Sequence, residues 1–329
     1  LGNFGIGKLG NFRMKEIRKP RRGFLISLPP RRDPNFPISQ FPNFPISQFP
    51  NCITFAAMAD TKHNVVSSIT VEQLTISSEY LQREVRVDVY LPLSVSNPEQ
   101  LSLLLINDGQ DLLKMSFDEI LNNLIGNETI EPLLCIGIHC GHERKMEYGT
   151  AYSADYKGRG AKAGLYTKFV FDELLPYIRK TYHTPSFKDK SFAGFSLGGL
   201  SAMDIAWNHA SEFNKIGIFS GSLWWRRKGY DDGYDDEQDR LMHVQIRKGS
   251  FHPWLRFFVE CGTEDETADR NQNGIIDSID DALDLIVELK AKGYTEEHIH
   301  YLEMEGGRHD VSTWGKAFPE FLKWGWGRR

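Results

Sequence analysis

Two kinds of apolar spacing alternate along most of the chain. Leu101–Ile106 and Leu133–Ile138 are nearly unbroken apolar runs of strand length, the pattern of strands covered on both faces. Val71–Ile76 and Val85–Tyr90 alternate apolar and polar positions, which predicts strands with one exposed face, the second ended by Pro92. Helical spacing follows at Phe117–Ile125 and over Ala163–Tyr182, where Phe169, Leu174, Tyr177 and Ile178 fall on or near one side. A short strand at Asp189–Ala193 leads into a helix over Leu197–Ala210. Further strands are predicted at Ile216–Phe219, Leu255–Cys261 and Ile299–Met304. Helices are predicted at Ile279–Lys292, closed by Gly293 as C-cap, and near Trp314–Trp324. Buried strands alternating with helices predict an α/β fold: a doubly wound, mainly parallel sheet with helices on both faces.

Residues 1–57 break this pattern. Asn35–Pro42 recurs as Asn43–Pro50, and Leu1–Phe4 recurs as Leu9–Phe12. Proline every few residues removes ladder donors and interrupts helices, so the tract is not expected to form core structure. A unit this short that occurs twice is no solenoid. The apolar stretch Gly23–Leu28 is short and runs into Pro29-Pro30, unlike a signal peptide. The tract reads as a poorly ordered extension translated from upstream of a start at Met58, in preference to a basic tail for anionic surfaces. The organised domain is then 58–329, with an acidic and aromatic insertion over 226–254.

Charge narrows the partners. The 329 residues carry a net charge of −5, which gives no global basic signal for nucleic acid. No apolar run approaches the roughly 20 residues that span a bilayer. Cys52, Cys135, Cys140 and Cys261 form no C-x-x-C pair, and three of them lie in or beside apolar strands. Buried free thiols are the expectation, which leans towards the reducing cytoplasm.

The chemistry centres on Gly194-Phe195-Ser196-Leu197-Gly198, a G-x-S-x-G sequence between a predicted strand and a predicted helix. In a nucleophile elbow that turn lifts the serine to the tip of a strand, and the flanking glycines permit it. Serine needs a base, and the base needs an acid to hold its tautomer. Of the histidines after Ser196, only His309 follows a late strand in a loop, Glu305–Asp310. The acid should follow the strand Leu255–Cys261, where Glu264, Asp265, Glu266 and Asp269 stand together. Asp265 is preferred, but spacing does not separate the four. A tetrahedral oxyanion needs two N–H donors. They are expected from the backbone of Leu197, after the nucleophile, and of Gln110, in the loop after Leu101–Ile106.

From about residue 70 onward the chain resembles an esterase family of α/β-hydrolases that includes enterochelin, feruloyl and acetyl-xylan esterases, esterase D and the mycolyltransferases of the antigen 85 complex. The resemblance rests on Asn107-Asp108-Gly109-Gln110, Arg144 with Glu147-Tyr148, Gly194–Gly199, Ser220–Trp225, Cys261–Asp265 and Gly306–Asp310. It implies Ser196 as nucleophile, Asp265 as acid, His309 as base and the Gln110 N–H as second oxyanion donor. The Ser-Gly-Ser-x-Trp-Trp piece is most similar to the enterochelin-esterase branch. The insertion 226–254 matches nothing in it.

Three further features bear on ligands. Trp224 and Trp225 follow a strand at its ligand-binding end, where they could stack on an aromatic or sugar ring or pack beneath the insertion. Arg144 could clamp a carboxylate or pair with Glu147 or another nearby acid. Asp269, Asn271, Asn273, Ile275 (through its carbonyl), Asp277 and Asp280 occupy calcium-loop positions around Gly274, against the alternative of an Asx-rich turn. The expectation is a serine carboxylic-ester hydrolase on a small-molecule or carbohydrate ester, with no catalytic cofactor, structural calcium and neither a nucleic-acid nor a membrane partner. Acyl transfer and non-catalytic ligand binding are its rivals.

Overall fold

The computed structural model describes residues 67–93, 95 and 98–328. In chain order these residues form strands β1 (Ile69–Ser78), β2 (Arg83–Pro92) and β3 (Ser102–Asn107), helix α1 (Phe117–Gly126), strand β4 (Leu133–Ile138) and helices α2 (Arg144–Glu147) and α3 (Ala163–Lys168). A π-helical turn at Phe169–Leu174 leads to α4 (Leu175–Thr181), β5 (Lys190–Phe195), α5 (Leu197–Asn208) and β6 (Lys215–Phe219). Then come α6 (Asp236–Asp239), α7 (Leu241–Lys248), β7 (Arg256–Glu264), α8 (Asp277–Lys292), β8 (Ile299–Arg308) and α9 (Val311–Trp326). The strands make one sheet in the order β1-β2-β4-β3-β5-β6-β7-β8. The β1–β2 and β2–β4 pairs are antiparallel and the other five are parallel. This is the α/β-hydrolase fold the apolar spacing and the resemblance imply.

Two expectations change. The alternation in β2 suggests an exposed face, yet Val85, Val87, Val89, Tyr90 and Asp88 are all buried. Glu84 and Arg86 do face outward, but the same face is covered farther along, where Asp88 bonds His139 at 2.7 Å and the Tyr90 ring packs on Phe117 of α1 at 4.9 Å. The single helix expected over Ala163–Tyr182 is broken by its π-helical turn. That wider turn lies directly ahead of Pro176, whose ring would clash with the carbonyl four residues back in an unbroken α-helix.

The sheet sorts its side chains by parity. Leu103 and Leu105 of β3 join one core with Ile216, Ile218, Val259 and residues of α5, α7 and α8. Leu104 and Ile106 point the other way, into a second core with Phe195, Phe219, Phe258 and the inner faces of α1 and α9. Phe219 is the hub of that second core, with ring centroids 5.4 Å from Phe195, 5.6 Å from Phe258, 4.9 Å from Phe318 and 5.7 Å from Phe321.

The insertion 226–254 supplies α6 and α7 and is tied to the body. Met242 and Ile246 enter the first core. Buried Arg240 donates to Asp281 and Asp284 of α8, each at 2.7 Å, and Arg247 pairs with Glu288. Cys135, Cys140 and Cys261 are free thiols, and burial pushes Cys140 up to about 12. The expectations for residues 1–57, including Cys52, lie outside the described residues. The described residues fall within the compact unit His63–Arg329, and among them no helix is long and apolar enough to cross a membrane.

Phe219→Ala should therefore cost about 3–5 kcal/mol, the range for truncating a buried aromatic ring. Urea unfolding of the variant against the parent chain measures it, and a change below about 1 kcal/mol would show that the aromatic hub does not carry the second core.

Candidate active site

The expected site residues converge at the carboxyl ends of the parallel strands, where open α/β sheets bind their ligands. Ser196 follows the last residue of β5 and precedes the first of α5, with φ 55° and ψ −121°. A Cβ on Gly194 would collide with the carbonyl of Gly198, so the close approach of strand end to helix start needs glycine there. The turn is fixed by the Ser196 N–H donating to the Phe219 carbonyl at 2.8 Å, and by the Ser222 N–H donating to the Ser196 carbonyl at 3.0 Å. Among the described residues the Ser196 hydroxyl meets Ser222 Oγ at 3.4 Å, and no hydrogen bond joins it to His309.

His309 follows β8, which runs on to Arg308 beyond its expected end at Met304. Asp310 caps α9, accepting from the Thr313 N–H at 2.9 Å, and so pins the histidine between strand and helix. Its ring packs edge-on against Trp314 at 5.4 Å. Trp314 in turn stacks on Phe195 at 5.1 Å and donates from Nε1 to Ser220 Oγ at 2.9 Å. One tryptophan thus touches both the histidine and the residue before Ser196.

The four carboxylates left open by spacing occupy different surroundings. Asp265 Oδ2 is 3.7 Å from His309 Nδ1, beyond hydrogen-bond length, and its side chain is 0% exposed. Neither of its oxygens has a hydrogen-bond partner. Gly262 makes room for it: a Cβ there would lie 2.7 Å from Asp265 Oδ1. Glu264 points outward and pairs with Arg308 at 3.1 Å. Burial raises the Glu266 carboxyl, with Asp277 adding to it. Asp269 accepts N–H bonds from Asn273 at 3.1 Å and Gly274 at 2.9 Å.

Leu197 is the first residue of α5, where an N–H has no partner within its own helix. Gln110 lies in a one-turn helix, Gly109–Asp111, directly after β3. Asn107 docks that turn onto α5 by donating from Nδ2 to the Gly198 carbonyl at 2.8 Å, and accepts from Tyr166 Oη at 2.5 Å.

The other expectations divide. Arg144 is not a free clamp: Nε and Nη2 each reach a carboxylate oxygen of Asp108 at 2.7 Å, while Glu147 pairs with Arg83 instead. Trp225 is fully buried, with its ring against Gly149 and Gly160, so it is packing and not a surface for a ligand. Trp224 is partly exposed. It carries Arg159 4.9 Å over its ring and lines a cleft of about 340 Å³ with Arg226, Tyr230, Glu266 and the start of the Asp269 loop.

The calcium expectation is not supported. Among the described residues no group of three or more His, Cys, Asp or Glu is gathered to hold a metal. The loop keeps Asp269, Asn271, Asn273, Ile275, Asp277 and Asp280 together, but closes on itself as an Asx-rich turn. Asp280 accepts from the Asn271 and Asn273 amides at 2.6 and 3.1 Å, Asn273 Oδ1 accepts the Ile275 N–H at 2.8 Å, and Asp277 accepts the Arg270 N–H at 2.8 Å.

Sequence reasoning passed over Ser222, Trp314 and Glu260. Glu260 was visible as an acid within the apolar run Phe257–Cys261. It is fully buried, both its carboxyl oxygens lack partners, and burial, with Asp265 adding to it, pushes its carboxyl up to about 8.

Residues 78–324 match the family described as "Putative esterase". Over 261 residues, 76% of this chain and 96% of the other, the chain is 24% identical to the uncharacterized protein YbbA of Bacillus subtilis (strain 168). The enterobactin esterase Fes of Shigella flexneri, solved in the presence of 2,3-di-hydroxy-N-benzoyl-serine, superposes with a TM-score of 0.60 at 22% identity, over 78% of this chain and 58% of that one. The chain thus spans less than two thirds of that relative's length. A ferulic acid esterase superposes with a TM-score of 0.54 at 18% identity, over 78% of this chain and 97% of that one. At these identities the structures show a shared fold.

Glu260 gives the site a pH signature. Its folded pKa lies above the ordinary value of 4.5, near 8, so the fold favours the protonated form. That contribution to stability is complete below the ordinary value and is lost as pH rises through about 8. The melting temperature of Glu260→Gln should therefore fall less between about pH 5 and pH 8.5 than that of the parent chain. Parallel curves for the two proteins would show that Glu260 is not held protonated.

Proposed function

The chain belongs to the esterase family, and we propose that within it this protein hydrolyses carboxylic esters through Ser196, His309 and Asp265 by way of an acyl-enzyme. The observation that carries this reading is the pairing of a positive-φ serine at the tip of β5 with a histidine whose Nδ1 faces a fully buried carboxylate.

With Asp265 on the Nδ1 side, Nε2 of His309 is left to take the proton of Ser196 as its oxygen attacks the ester carbonyl. The imidazolium that forms sits beside a carboxylate shielded from water, where its attraction is stronger than in solution. The N–H groups of Leu197 and Gln110 receive the developing oxyanion. The alcohol leaves with the proton from Nε2. Water then attacks the acyl-enzyme, with His309 again as base, and releases the acid. The 3.7 Å separation is compatible with this scheme, because catalytic hydrogen bonds tighten when substrate is bound. The scheme draws on no metal or cofactor.

The substrate proposed is a small ester whose ring or sugar lies against the exposed face of Trp224, in the cleft with Tyr230 and Arg226. Fes was solved in the presence of 2,3-di-hydroxy-N-benzoyl-serine, and an aromatic ring such as its benzoyl group fits that cleft.

Ser196→Ala and His309→Ala should each lower turnover of a p-nitrophenyl ester by about 10⁴–10⁶-fold, because triad members act as a unit. The melting temperatures should stay near that of the parent chain. A wild-type rate in either variant would overturn the proposal.

A further inference from the structure

The Gln110 turn and the Ser196 elbow come from different strands, so an oxyanion held between them needs the two held in register. Arg144 touches both. Its guanidinium grips the Asp108 carboxylate with Nε and Nη2, both at 2.7 Å, and the same Nη2 donates to the Phe195 carbonyl at 3.3 Å. Asp108 opens the Gln110 turn and Phe195 is the residue before Ser196. Asp108 is nearly fully buried in the left-handed region, at φ 60° and ψ 43°. A non-glycine residue keeps that conformation only where its surroundings hold it.

The other contacts of the turn act in the same direction. The Asp108 N–H donates to Tyr148 Oη at 3.3 Å, and Arg144 lies 5.2 Å over the same tyrosine ring. Gln110 reaches back from Nε2 to Asp108 Oδ1 at 3.2 Å, and its Oε1 accepts the Cys140 N–H at 3.1 Å. The carboxylate also abuts the first turn of α5, since a Cβ on Gly198 would lie 2.6 Å from Asp108 Oδ2.

We propose that Arg144 is a positioning residue for ester hydrolysis, the brace that sets the Gln110 N–H against the Leu197 N–H so that both meet one oxyanion. The inference rests on the reading of Ser196 as nucleophile and of those two groups as oxyanion donors. Arg144 acts through Asp108 and Phe195 and makes no bond to substrate. A planar two-nitrogen fork is needed, because a lysine ammonium cannot span both carboxylate oxygens and the carbonyl.

The protein contains its own control. Arg83 grips Glu147, on the same short helix α2, with the same two-nitrogen geometry at 2.8 and 2.7 Å, but touches neither the turn nor the elbow. Arg144→Met, Arg144→Lys, Arg83→Met and Ser196→Ala should be compared for kcat, KM and melting temperature on a p-nitrophenyl ester. Assays are run well below the lowest melting temperature. Arg144→Met should lower kcat by about 10²-fold, the scale of a misplacement near 1 Å, with KM little changed. Arg144→Lys should recover part of that loss. Arg83→Met should lower the melting temperature while leaving kcat intact. If Arg144→Met does not fold, the Lys variant carries the test. Wild-type kcat in the folded Arg144 variants, or a rise in KM alone, would overturn the brace. If Ser196→Ala is inactive in that same experiment, only the brace fails. If Ser196→Ala is active, the nucleophile reading fails beneath it.

Discussion

The site depends on a backbone contact with no room for a side chain. The end of β5 and the start of α5 approach so closely that Gly194 cannot carry a Cβ, and a Cβ on Gly199 would lie 2.9 Å from the Gly194 carbonyl oxygen. That approach forces the one residue between strand and helix to φ 55°, and that residue is Ser196. The strain is held by the strands around it. The Ser196 N–H is bound to the Phe219 carbonyl at the end of β6, and the Phe219 ring anchors the second core. Packing well below the surface therefore keeps the serine in a conformation it would not choose alone.

Around that elbow the molecule concentrates buried charge. Asp108 is paired, by Arg144, whereas no geometric hydrogen bond reaches any of the four carboxyl oxygens of Asp265 and Glu260, and His309 Nδ1 stands 3.7 Å from Asp265. Burial, with Asp265 adding to it, keeps the proton on Glu260. Burying a carboxyl group without a hydrogen bond costs stability in the resting protein, and on the proposed mechanism Asp265 gains an attraction once His309 becomes cationic. On this account, stability given up in the fold is recovered as electrostatic stabilisation during the reaction.

Much of this was legible in the sequence, and the exceptions have physical causes. The apolar runs of β3 and β4, the elbow and its helix, and the histidine after the last strand were visible because each is a local pattern. The burial of the second half of β2 was not, because its alternating sequence does not record that His139 and Phe117 cover Asp88 and Tyr90. Spacing could not rank Glu264, Asp265, Glu266 and Asp269. What distinguishes them is where β7 ends, at Glu264, and the room that Gly262 leaves for the Asp265 carboxyl group. Trp224 and Trp225 are adjacent and alike in sequence, yet one edges a cleft and the other fills the space beside Gly149 and Gly160. In sequence the acid nearest to Arg144 on its own helix is Glu147. In the fold Glu147 pairs with Arg83, and Arg144 pairs with Asp108, 36 residues away.

The central claim is that the strained serine of the elbow is the nucleophile that forms the acyl-enzyme. The most direct measurement is to inactivate the protein with a fluorophosphonate ester and map the adduct by peptide mass spectrometry. The account predicts one phosphonyl group per chain, on the peptide containing Ser196, formed in step with the loss of esterase activity. An adduct confined to another residue, or full inactivation with Ser196 unmodified, would contradict it.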